Sequence, residues 1–290
     1  MKLFDCHNHI QDERLFPILG NVMERAHKAG VVAMGVKGCS EEDWPRVIQL
    51  YQAGIRQHKA EQNDGPLGGV DQYFVPNHSV KIYPSFGLHP WFISDRSLDW
   101  FQTLEALLIN YPEAAVGEIG IDHAIEDRDD ADQESVFLKQ LEIAQRLNRP
   151  VSIHCRQAWG RLIELFDQFG DFPRGMLIHC FGGSAEVATE LVKRGAYISF
   201  SGSITRPNAR KAGAAIRAVP DDRILIETDA PDILPHNCRA EMGKDLSAAG
   251  LNEPANVRFV LAKAAELRGV SETELAEITF RNAEHYFQYL

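Results

Sequence analysis

The chain has 290 residues, 44% of them hydrophobic and 24% charged, and carries a formal net charge of −11. This composition, without any long low-complexity tract, excludes a disordered chain and supplies apolar material for a large core. The negative balance opposes nonspecific attraction to a phosphate backbone, so a nucleic-acid substrate would have to be held by local positive charge or by metal ions.

The length exceeds the usual size of one domain, but α/β barrels commonly reach it around one continuous core. Residues 1–290 are therefore expected to form one barrel domain. The opening MKLFDCHNHI puts polar groups where a signal peptide needs an apolar run, and no stretch reaches membrane-spanning length. A cytoplasmic protein with no membrane association is expected. Cys6, Cys39, Cys155, Cys180 and Cys238 are scattered, odd in number and without a CxxC pair, which argues against a disulfide framework.

Taken in chain order, eight short apolar segments alternate with helical stretches, the pattern of a parallel sheet with crossover helices. The strands are expected at 3–9, 31–36, 81–88, 115–121, 150–155, 176–180, 196–201 and 224–228. By count and order they predict a TIM (β/α)8 barrel with additional C-terminal helices. The stretches 133–147, 185–194 and 253–267 carry apolar residues at helical spacing, with acidic residues early and basic ones late, which suits the helix dipole. Ser271 and Glu274 read as a capping box opening a short helix, and 280–289 as a final aromatic-bearing helix packed on the barrel. Residues 57–79, polar and rich in Gly and Pro, break the rhythm and predict a surface insertion.

His7 and His9 are two apart in an expected strand, so both point to one face. Alone, such a pair is as compatible with barrel-lining histidines as with a metal site. Glu118, His154, His179 and Asp229 then fall at the carboxyl ends of four other strands, where barrel active sites are assembled. Buried without a cation, that set would be strongly unfavourable. A two-metal site is therefore expected. Nitrogen and carboxylate donors suit Zn²⁺ or Mn²⁺ better than Mg²⁺. Two such ions sharing a carboxylate could activate a water for hydrolysis. By the same alternation, Cys6, Cys155 and Cys180 should face the helices, while Asp5 and Glu227 should lie one layer beneath His7 and Asp229, as orienting partners or in buried hydrogen bonds.

The motifs FDCHNH, VGEIGID, VSIHCRQAWG, LIHCFGGS, YISFSGSIT, ILIETDAP, LNEPANV and RNAEHYF occur in order over nearly the whole chain. Together they resemble the TatD family of metal-dependent hydrolases, within the amidohydrolase superfamily. The resemblance implies a first metal at His7, His9, Glu118 and Asp229 and a second at Glu118, His154 and His179. Glu118 would bridge them, and Asp229 would orient or deprotonate the attacking water. It also implies a deoxyribonuclease of the 3′ to 5′ exonuclease type, with DNA or a small phosphodiester as substrate. His89, in GLHPW, is similar to the family's GxHP turn and is a candidate substrate contact. Arg156 shares the inward parity of His154 and is a candidate phosphate clamp, with a salt bridge to a barrel carboxylate as the alternative. Arg206 is a further phosphate candidate, and Trp91 and Phe92 either stack on a base or pack.

Two features depart from the family pattern: the long segment 57–79 and the acidic run HAIEDRDD after GID. An acidic rim disfavours long polyanions. The competing readings are therefore a metal-dependent amidohydrolase or lactonase acting on a carbonyl carbon, and a barrel with no catalytic activity. No obligate protein partner is expected, and the chain is expected as a monomer or small homo-oligomer.

Overall fold

A computed structural model describes residues 1–63, 80–170, 174–238 and 250–287. Eight strands, β1 (Leu3–Asn8), β2 (Val31–Gly38), β3 (Lys81–Phe86), β4 (Ala115–Asp122), β5 (Val151–Arg156), β6 (Met176–Ile178), β7 (Ala196–Phe200) and β8 (Ile224–Ile226), form one parallel sheet in sequence order. Between them run α1 (Leu19–Lys28), α2 (Trp44–Asn63), α3 (Trp100–Asn110), α4 (Asp130–Arg146), α5 (Trp159–Phe169), α6 (Ala185–Lys193) and α7 (Arg210–Ala218). Among the described residues, two α-helices follow β8, α8 (Val257–Arg268) and α9 (Glu272–Phe287). Just past β8 the ring is drawn together: the Asp229 N–H donates to the His7 carbonyl at 3.0 Å, and the His9 N–H to the Ala230 carbonyl at 2.7 Å. This is the TIM barrel expected from the alternation of elements. None of the described helices is long and apolar enough to cross a membrane.

Side-chain alternation sorts the sheet into two packing layers. Val151, Ile153, Met176 and Ile178 join the large cluster formed with the surrounding helices, whereas Leu177 joins a smaller cluster inside the barrel with Phe4, Tyr197 and Leu225. That inner cluster is completed by α9. Its Phe287 ring stacks on Phe4 at 4.8 Å, and the Tyr286 hydroxyl donates to the Val151 carbonyl at 2.8 Å. The last helix thus plugs the floor of the barrel rather than lying on its outer surface. Ser271 caps it, accepting from the Glu274 N–H at 3.1 Å. The two separate C-terminal helices expected from the sequence are one continuous helix, because no Gly or Pro interrupts 272–287.

The first strand departs from simple alternation. Asp5 pairs with Met34 and Asn8 with Val36, so β1 has one residue more than its partner between these points. Such a bulge resets which face each side chain takes. Cys6, expected against the helices, lies in the inner cluster. Asp5, expected as an orienting partner or in buried hydrogen bonds, takes the second role: it accepts from the Thr228 N–H at 2.8 Å and from Asn8 Nδ2 at 3.0 Å. Its role is to tie the start of the barrel to its end. Cys155 does pack on the helix side.

Several boundaries also move. β6 and β8 stop at Ile178 and Ile226, short of the expected 180 and 228. The chain leaves the extended conformation there, with Cys180 at φ 43° and Asp229 at φ 56°. Residues 57–63 of the expected insertion are the last turns of α2, and 64–79 lie outside the described residues.

Candidate metal centre

Six side chains converge at the carboxyl ends of β1, β4, β5, β6 and β8. His7 Nε2 is 3.1 Å from Glu118 Oε2 and 3.7 Å from Asp229 Oδ1. His9 Nε2 is 3.2 Å and 3.5 Å from the same two atoms. On the other side of the carboxylate, Glu118 Oε1 meets His179 Nε2 at 2.7 Å and His154 Nδ1 at 3.1 Å. The two oxygens of Glu118 therefore face two separate groups of donors. All six residues named from the sequence are brought together.

Local backbone chemistry places Glu118. The flanking Gly117 and Gly120 both have φ 150°, and a Cβ on them would sit 2.7 Å from the Ser152 carbonyl oxygen and 1.9 Å from that of His154. Only glycine lets β4 approach β5 this closely. Asp229 owes its aim to a left-handed backbone, a conformation Asp tolerates better than most residues.

The histidine tautomers reveal what the cluster lacks. His9 Nδ1 lies 2.9 Å from the Lys37 carbonyl, which can only accept, so the proton sits on Nδ1 and a lone pair on Nε2. By the same reasoning His154 Nε2, 3.1 Å from Asp122 Oδ2, is the protonated nitrogen. Its Nδ1 lone pair then faces Glu118. His179 Nδ1 lies 3.5 Å from Glu227 Oε1, at the limit of a hydrogen bond, and His7 Nδ1 pairs with Ser152 Oγ at 3.1 Å. His7, His9 and His154 are thus held through one nitrogen while the other points at a carboxylate oxygen. The His7 and His9 Nε2 atoms face each other at 3.2 Å, and His154 Nδ1 faces His179 Nε2 at 3.1 Å. With the rings neutral, as metal binding requires, the His9 and His154 lone pairs point into the carboxylate cluster where a cation would meet them, and such outer support is the usual setting of metal-bound imidazoles. The donor set fits divalent cations.

The charge balance agrees. Burial pushes the Glu118 carboxyl upward, yet His179, His89 and His7 hold it well below the usual carboxylate range. Burial acts likewise on Asp229, but the His9 hydrogen bond and the charges of His179, His7 and His9 bring it to about 2. Burial disfavours charge on His179, but Glu118 and Glu227 raise it well above the ordinary value. The centre calls for positive charge.

His89 stands nearer the cluster than a loop contact would. Its Nδ1 accepts from the Trp91 N–H at 3.1 Å, which leaves Nε2–H pointing to Glu118 Oε1 at 3.3 Å. Burial lowers it to about 4, so it stays neutral. Arg156, at the end of β5, is exposed and lines a cleft of about 480 Å³ together with Trp91, Asp122 and Arg128. Among the described residues it forms no ion pair. Arg206 is exposed at the end of a 3-10 turn and is not part of that lining. Phe92 packs against the core, so only Trp91 of the aromatic pair is presented.

Residues 74–288 match the family described as TatD related DNase. The chain belongs to the TatD family. It is 30% identical over 286 residues to the metal-dependent hydrolase YabD of Bacillus subtilis, covering 99% of each chain. It is also 30% identical to the 3′-5′ ssDNA/RNA exonuclease TatD of Citrobacter rodentium, over 98% of this chain and 97% of that one. The crystal structure of the TatD homolog YjjV from Escherichia coli superposes with a TM-score of 0.80 at 27% identity, covering 99% of this chain and 98% of that one. The protein is therefore a metal-dependent hydrolase of this family.

Three residues of this TatD centre escaped the sequence reading. Asp122, four after Glu118 in VGEIGID, carries the inward parity of that strand and accepts from both His154 and Trp91 Nε1, the latter at 2.8 Å. Cys39 is buried with Sγ 3.5 Å from His9 Nδ1 and 3.7 Å from Glu118 Oε2. Lys37, a lone cation in an apolar strand, is fully buried with Nζ 5.0 Å above the Phe287 ring, and burial lowers it to about 8.

Proposed function

We propose that this chain is a divalent-metal phosphodiesterase that removes nucleotides from the 3′ end of single-stranded nucleic acid. One cation is held by His7, His9, Glu118 and Asp229, and a second by Glu118, His154 and His179. The observation that carries the reading is the Glu118 carboxylate, whose two oxygens each meet their own group of nitrogen donors. Zn²⁺ or Mn²⁺ suits this set. Bound there, the cations supply Lewis-acid activation of water and of a phosphoryl oxygen.

The protein's own groups do the rest. Asp229 has its side chain 14% exposed, so it can hold the attacking water and accept its proton. Asp122 fixes the orientation of His154 by a hydrogen bond, and the Glu227 carboxylate lies 3.5 Å from His179 Nδ1. Arg156, without an ion pair among the described residues, lines the cleft and can grip a phosphate through two oxygens. A nucleic-acid substrate is supported by the exonuclease name of the Citrobacter relative. Glu118 and Asp229 are the catalytic carboxylates of this reading, and His89 and Arg156 border the substrate.

The test is one preparation purified without added metal. Bound metals are quantified, and 5′-labelled single-stranded DNA and bis-p-nitrophenyl phosphate are assayed with and without Mn²⁺, Mg²⁺ and Zn²⁺. The expected result is metal-dependent shortening from the 3′ end that falls roughly 10²–10⁴-fold in Asp229→Asn. Turnover of carbonyl esters or lactones with neither diester cleaved would reject phosphodiester hydrolysis and keep the metal centre.

A further inference from the structure

Trp91 is 54% exposed. A single exposed indole is ordinary, but this one is fixed. Its Nε1–H donates to Asp122 Oδ2 at 2.8 Å, and the same oxygen accepts from His154 Nε2 at 3.1 Å. Asp122 is fully buried. The indole also stands edge-on to the centre, 5.1 Å from the His89 ring at 86° and 6.4 Å from the His154 ring at 70°. Its position is set by the group that orients a metal-facing histidine, and it lines the cleft shared with Arg128 and Arg156.

We propose that Trp91 and Arg156 form a nucleobase-and-phosphate subsite for one terminal nucleotide, the base stacked on the indole and the phosphate held by the Arg156 guanidinium. The proposal rests on the phosphodiesterase reading and names the substrate class. A cleft of about 480 Å³ is of the size that holds a small ligand, and an aromatic face accepts any base because every base has a π-face. The cleft also restricts length. Asp127, Asp129 and Asp132 line it as well, and although Asp132 is paired with Arg96 at 2.8 Å, the wall opposes the phosphates of a longer strand. The acidic run after GID thereby acquires a role: it admits an end rather than a length of polyanion. Asp122 links the subsite to His154 and is a positioning residue.

The experiment is calorimetric titration of the metal-loaded protein with dAMP and with 2-deoxyribose 5-phosphate, which differ only by the base. The wild type is expected to favour dAMP roughly tenfold. Trp91→Ala should remove most of that preference, Trp91→Leu should repeat the loss with apolar bulk retained, and Trp91→Phe should keep a preference for dAMP. Addition of dAMP should also quench a tryptophan emission component that is missing in Trp91→Phe. Equal affinity of the wild type for the two ligands, or a preference unchanged in both Trp91→Ala and Trp91→Leu, would overturn the subsite. Failure of the phosphodiesterase reading looks different: the same preparation would bind dAMP selectively yet cleave no dinucleotide with any metal.

Discussion

The two ends of this barrel are built from the same eight strands and have opposite chemistry. At the floor, Phe4, Leu177, Tyr197 and Leu225 close on Tyr286 and Phe287 of α9, and burial of apolar rings is what the region contributes. At the mouth, buried histidines close on Glu118 and Asp229, and the burial of these polar groups has to be offset by charge pairing or by a bound cation. Lys37 marks the boundary, with its stem in the barrel and its ammonium over the Phe287 ring. The contrast teaches that stability and function are segregated along the barrel axis. Substitutions at the floor should cost folding, and substitutions at the mouth should cost metal and turnover without weakening the metal-free fold.

The largest effect that would sharpen this division is at the floor. Phe287→Ala is expected to destabilise the protein by about 3–5 kcal/mol in denaturant unfolding, while the folded fraction retains its metal content. A variant of normal stability would show that α9 does not plug the barrel. At the mouth, His7→Ala or His154→Ala should lower the bound metal found by elemental analysis. The metal-free form of either should unfold at no lower temperature than metal-free wild type. Lower stability in both metal-free variants would break the comparison, because it would make these histidines structural. A smaller effect is expected one layer out: Asp122→Asn should weaken metal binding or activity roughly 10–100-fold through loss of the partner that holds His154. Smallest of all, Tyr286→Phe should cost about 1 kcal/mol, the net contribution of its hydrogen bond to Val151. Its activity should be unaltered.

Most of the mouth was legible from spacing. His7 and His9 two apart, with Glu118, His154, His179 and Asp229 each at a strand end, named residues that the structure gathers around Glu118 and Asp229, each within 4 Å of at least one other. Parity failed where the backbone stopped being regular. The extra residue in β1 turned Cys6 inward and Asp5 toward Thr228, and no Gly or Pro in LFDCHN marks the bulge. Asp122 shares the inward parity of Glu118 four residues earlier in VGEIGID, but parity alone does not tell a carboxylate that orients His154 from one that only ends a strand. The floor was least legible. Tyr286 and Phe287 lie far in sequence from Phe4 and Val151, and helical periodicity indicates that α9 has an apolar face without indicating which cavity receives it.

The proposed function has Glu118 hold two cations. The most direct test is the number of metal equivalents retained per chain after metal-free protein is reconstituted with Zn²⁺ or Mn²⁺ and passed through a desalting column, for the wild type and Glu118→Ala. The account predicts two equivalents in the wild type and loss of both in the variant. A single equivalent that survives Glu118→Ala would contradict it.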